Sequence, residues 1–148
     1  MRLHFTMFIF ITFLTLAAAY FYFGSLSHKI IISDLESLET VPLSIPPTTH
    51  EEAAYAAFAM PAVRSSIISA HQDYIRWASS TAEYLHEKPQ AIVWTATINI
   101  TNIQNTKERL WHVVFRSNIR PSYICSVAFT DESITRRTAD TSCGYEGK

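Results

Sequence analysis

No glycine stands between Ser25 and Cys143; the chain has only three, Gly24, Gly144 and Gly147. A Walker loop or a Rossmann turn needs glycine where backbone approaches phosphate closely or takes a positive φ. A nucleophile elbow needs glycine on both sides of its serine. None of these motifs can be built here, which argues against nucleotide-dependent and α/β-hydrolase chemistry. Charge is also scarce: 17% of residues are charged and the net charge is −1. A nucleic-acid binder normally presents a strongly basic face, which this balance does not supply. Histidines number six, yet no pair has the i, i+4 spacing of a helical zinc site and no HExxH occurs. No metal, cofactor or small-molecule ligand is expected.

What the chain does have is apolar residues, 48% of the total, unevenly placed over 148 positions. From Leu3 to Ser27 no residue is charged if His4 is counted neutral. About 20 apolar residues span the hydrocarbon of a bilayer as a helix. The stretch from Leu3 to Phe23 meets that length, with Tyr20 and Tyr22 at the boundary where amphipathic rings lie. Two readings follow. An uncleaved signal anchor uses the whole stretch, and a cleaved signal peptide uses Ala17, Ala18 and Ala19 as its small-residue site. Cleavage after Ala19 leaves Tyr20-Phe-Tyr-Phe as a greasy new terminus, which favours the anchor. Both readings export the rest of the chain. The acidic residues Asp34, Glu36, Glu39, Glu51 and Glu52 have no basic residue among them, so orientation leans to N-terminus in and C-terminus out.

The two cysteines, Cys125 and Cys143, suit an oxidising compartment and are expected to form a disulfide. By chain entropy such a bond would add about 3 kcal/mol. Asn99-Ile-Thr101 is a glycosylation sequon inside a predicted strand and carries no weight.

Proline and periodicity divide the remainder. Pro42, Pro46 and Pro47 mark an extended stem, so the expected organisation is a signal anchor over 1–28, an acidic then proline-rich stem over 29–48, and an exported domain over 49–148. Thr49-His-Glu-Glu52 matches a capping box ahead of an alanine-rich helix, which Pro61 ends or converts into the next. Val63, Ile67, Ala70, Tyr74, Ala78, Ala82 and Leu85 recur at three- and four-residue steps, predicting one long helix that Lys88-Pro89 terminates. Trp77 lies off that stripe and is a candidate exposed contact. Beyond Pro89 the period becomes two. Residues 91–101, 109–117 and 123–130 alternate as three strands, while 131–142 reads as polar and irregular.

The fold class expected is α+β: an N-terminal transmembrane helix, then a long helix packed on a three-stranded antiparallel sheet. In architecture this wrap resembles cystatin-like and pilin-like folds. A type IV pilin carries a glutamate near the start of its apolar helix, and none is present here, so that family is not assigned.

No constellation calls for catalysis. His71 borders the helix's apolar face and would meet His112 only if the two faces touch; a hydrogen-bonded edge histidine is the simpler reading. Glu51-Glu52 and Asp131-Glu132 are adjacent pairs whose side chains point apart. One asymmetry remains. Lys107, Arg109, Arg116 and Arg120 face a single acid, Glu108, and Trp111, Phe115 and Tyr123 are interleaved with them. Arg109, Trp111, Arg116, Arg120 and Tyr123 are therefore the candidate partner-binding residues, and export speaks against nucleic acid as the partner. The function expected is that of a membrane-anchored envelope protein held by the bilayer through its first apolar segment. Its exported domain would bind a protein partner in a secretion, pilus or conjugation-type assembly. The alternative is a secreted effector, inhibitor or small hydrolase released after Ala19.

Overall fold

The computed structural model of the chain describes residues 27–36, 45–86 and 88–147. Its elements in order are β1 (His28–Ile32), α1 (His50–Phe58), α2 (Pro61–Leu85), β2 (Trp94–Asn102), β3 (Arg109–Ser117), β4 (Tyr123–Thr130), α3 (Asp131–Thr135) and β5 (Asp140–Tyr145). The strands form one antiparallel sheet in the order β1-β2-β3-β4-β5.

Local chemistry explains the helices. Thr49 caps α1, its hydroxyl accepting from the Glu52 amide at 3.2 Å. Glu52 reaches back one residue further than a standard capping box, accepting from the Thr48 amide at 2.6 Å and hydroxyl at 2.8 Å. Those bonds hold its carboxyl below the usual value. Pro61 occupies the first turn of α2, where its missing N–H costs nothing. His86 ends α2 in the left-handed region, φ 54°.

Alternation along the strands decides the core. Trp94, Ala96 and Ile98 of β2, Trp111, Val113 and Phe115 of β3, and Cys125, Val127 and Phe129 of β4 are all buried on the face that carries the helices. α1 contributes Ala53, Ala54, Ala56, Ala57 and Phe58, whose small side chains let the helix approach the sheet; α2 adds Val63, Ile67 and Ala70. The opposite face holds Thr95, Thr97, Asn99, His112, Arg116 and Ser126 and is partly or fully open to solvent.

The sheet has five strands, not the three expected from the sequence, and the three-stranded wrap is corrected accordingly. β1 pairs with β2, Ile32 opposite Trp94. Ile32 is buried and Ile30 packs against the core, while Ile31 between them is 75% exposed on the far face. β5 pairs with β4 inside the stretch expected to be irregular. Both are edge strands, and their sequences hide the alternation. His28-Lys-Ile-Ile-Ile32 has three consecutive isoleucines, and Asp140-Thr-Ser142 is polar on both faces because an edge is half solvated. β-branched enrichment was the one local signal for β1. A one-turn helix, α3, fills the start of that same stretch, capped by Thr130 and Ser133 reciprocally at 3.1 and 2.8 Å.

A disulfide joins Cys125 and Cys143, which stand directly opposite each other in the β4–β5 register. It fastens the last strand to the sheet. Among the described residues no helix is long and apolar enough to cross a membrane, and an N-terminal transmembrane helix is not part of the fold seen. The apolar segment 3–23 lies outside the described residues.

Candidate functional site

The five candidate partner-binding residues do not share one surface. Trp111 belongs to the interior, and Arg109 is part-buried and engaged beside it. The Asp131 carboxylate accepts from Arg109 Nε at 2.9 Å, from Arg109 Nη2 at 3.2 Å and from the Trp111 indole at 2.9 Å. Arg109 also donates to the Pro47 carbonyl at 2.8 Å, and its guanidinium lies 4.9 Å from the Trp111 ring centre. Trp111 is fully buried and offers no contact surface. Burial pushes the Asp131 carboxyl up. The hydrogen bonds from Arg109 and Trp111 and the Arg109 charge outweigh it, leaving the group below its ordinary value. This cluster ties β3, α3 and the segment before α1 together. The sequence pointed to Arg109 and Trp111 but read Asp131 as a loop carboxylate; the Thr130-x-x-Ser133 capping spacing was the local sign that it opens a helix.

Arg116 lies on the open face and pairs with Glu146 at 2.9 Å, both side chains about half exposed. Tyr123 lies on the helix side, edge-on to Trp94 and Tyr145 with ring centres 6.2 and 4.9 Å apart. Arg120 is in the β3–β4 turn, exposed and without a partner among the described residues. His71 and His112 are on different sides of the sheet. His71 accepts from the Trp94 indole at 3.2 Å, and burial pushes its pKa down. His112 shares a 2.8 Å hydrogen bond with Ser126 on the open face. The edge-histidine reading of His71 is the one the geometry bears out.

One concave site does form. α2 has 25 residues, about 37 Å of helix, whereas a nine-residue strand covers about 30 Å. Past Ala78, the last residue of α2 described as buried, Glu83 and Tyr84 are exposed. Trp77 is 60% exposed and Tyr84 84%, an unusual display of large aromatics for a chain with a filled core. Between the C-terminal half of α2 and the β3–β4 turn runs a cleft of about 560 Å³, lined by Tyr74, Trp77, Thr81, Lys88, Gln90 and Arg120 among others. A second hollow of about 460 Å³ adjoins it through Tyr74, Trp77, Ile119 and Arg120.

The walls are held by hydrogen bonds. Tyr74 donates to the Gln90 carbonyl at 2.7 Å, fixing the segment that follows α2. Asn118 accepts from the Val93 amide at 2.8 Å and donates to the Ala91 carbonyl at 3.0 Å, extending β2 backwards to the cleft. Ser117 is buried and its hydroxyl accepts from the Tyr123 amide at 2.9 Å, closing the β3–β4 turn. The Arg120–Pro121 peptide in that turn is cis. Ile119 is buried beneath it. Among the described residues neither Lys88 nor Arg120 has a hydrogen-bond or ion-pair partner, and no group of histidines, cysteines and carboxylates is placed to hold a metal.

No family model, no curated protein and no solved structure matches this chain.

Proposed function

We propose that the chain is a membrane-anchored protein whose folded unit binds another protein, with the cleft beside Trp77 as the contact site. The observation that carries this reading is Trp77, 60% exposed off the buried stripe of α2, in a pre-shaped cleft next to Lys88 and Arg120, which have no partner among the described residues. Exposed tryptophan and arginine in one concavity are the residue types that anchor protein interfaces. The apolar run from Leu3 to Phe23 supplies the anchor in this reading, and the Cys125–Cys143 bond suits an oxidising compartment beyond the membrane. The open strand face, where Arg116 is engaged by Glu146, has the weaker claim.

Two measurements test the two halves. Intact mass from alkali-washed membranes is expected to show a chain beginning at Met1; a soluble chain beginning at Tyr20 removes the anchor. A photo-crosslinking amino acid in place of Trp77, compared with one at Ser142 on the open face, is expected to give a discrete adduct in the native cells only at position 77. Adducts at 142 alone would move the contact to the open face.

A further inference from the structure

We infer that the cleft receives an acidic, extended peptide segment of the partner protein; this rests on the protein-binding reading and adds the chemistry of what is bound. Three observations converge. The first is charge. Lys88 and Arg120 line the larger hollow, and among the described residues no acid lines it and neither cation has a partner. Asp73, which borders the adjoining hollow, already faces Arg76 at 3.8 Å. A carboxylate placed in the cleft meets uncompensated positive charge, and an arginine fork holds it in two hydrogen bonds.

The second is the platform. Tyr74 and Trp77 lie 5.8 Å apart, centre to centre, and tilted 37° to each other. With Tyr74 pinned to Gln90 they form a fixed apolar floor on which a proline or aliphatic side chain packs. The third is form. The two hollows run on from one another, open along one side, which suits a chain lying lengthwise rather than an enclosed small molecule. Because the walls are already braced, little ordering entropy is lost when a peptide enters.

Other anions fit less well. Attraction to anionic lipid usually takes a cluster of roughly four to eight basic residues, and the cleft offers two. Nucleic acid calls for a basic stripe that neutralises many phosphates, and the chain carries a net charge of −1.

Trp77 is also the reporter for the test. Of three tryptophans, Trp94 and Trp111 are 1% and 0% exposed, so Trp77 is the one that solvent reaches. The full chain in neutral nanodiscs is titrated with a synthetic peptide of alternating glutamate, leucine and proline, and with the same peptide carrying glutamine for glutamate. The expected result is a saturable blue shift of Trp77 with the acidic peptide and about tenfold weaker binding of the glutamine version. Arg120→Glu is expected to weaken the acidic peptide by about tenfold or more. Arg116→Glu, on the other face, is expected to leave it unchanged, and circular dichroism checks that each variant stays folded. Equal binding of both peptides overturns the inference, as does a Trp77 shift produced by anionic vesicles but by neither peptide. An adduct at position 77 in cells without any preference for the acidic peptide leaves the partner reading standing and removes the acidic chemistry. An adduct at 142 and none at 77 removes the cleft and with it this inference, and absence of an adduct at both positions removes the partner reading itself.

Discussion

The indole N–H of Trp94 donates to Nδ1 of His71 across 3.2 Å, joining the middle of α2 to the first residue of β2. Trp94 is 1% exposed and its only side-chain donor ends on this histidine, so the bond satisfies a buried polar group that would otherwise be left unpaired. It also sets where α2 lies along the sheet, and hence where Trp77, about one and a half turns further on, projects.

A neutral His71 is needed for that bond. Burial lowers its pKa below the ordinary 6.5. The unfolded chain therefore takes up a proton at a pH where the folded one does not. Stability is full above pH 6.5, declines as pH falls through the interval down to the folded-state value, and levels off below it. His71→Gln keeps an acceptor for Trp94 but cannot titrate. Melting temperature followed from about pH 7.5 to 5 should fall more steeply for the native chain than for this variant; parallel slopes would remove His71 from the pH response.

Asp131 acts in the same sense at lower pH. Its carboxyl lies below the ordinary 3.8, so the stability it contributes is present above that pH and is lost as pH falls through the lower folded-state value. Asp131→Asn removes the charge that faces Arg109 and is expected to cost about 1–3 kcal/mol, because a part-buried guanidinium loses its partner. Denaturant midpoints at neutral pH measure it. A variant as stable as the native chain would show that the cluster contributes little.

Trp111→Phe probes the same cluster from the other side. It leaves most of the buried volume but removes the donor to Asp131, so a loss of about 1 kcal/mol is expected. Trp111→Ala adds a cavity and should cost about 3–5 kcal/mol. Similar losses for both would mean that the hydrogen bond outweighs the packing.

Reduction of the Cys125–Cys143 bond is expected to cost about 3 kcal/mol for its 18-residue separation. The loosening should concentrate in β5, which among the described residues pairs with β4 alone. Hydrogen exchange at Ser142 and Gly144, whose amides face β4, should accelerate more than exchange in β3. Uniform acceleration through the sheet would place the bond's effect on the whole fold rather than on its edge.

Trp77→Phe should abolish nearly all acrylamide-accessible tryptophan fluorescence and leave the melting temperature within experimental error, since the side chain is 60% exposed. A large fall in stability would mean that Trp77 is part of the packing instead of a free contact.

Periodicity and end chemistry carried much of the architecture. α2, β2, β3 and β4 each bury one face along a run long enough for the 3.6- or 2-residue repeat to be visible, and Thr49 and Pro61 marked the helix starts through local bonding alone. Two cysteines allow a single pairing, so the disulfide was legible as well. What the tertiary structure decided are the features whose partners lie far off in the chain. β1 and β5 are strands because β2 and β4 offer them free edges, not because their own residues alternate. Arg109 is engaged and part-buried because Pro47 and Asp131 converge on it from separate segments, and Arg120 became part of a cleft because the β3–β4 turn faces the C-terminal half of α2. A local pattern reports which face of an element turns inward; which distant group waits there is set by long-range packing.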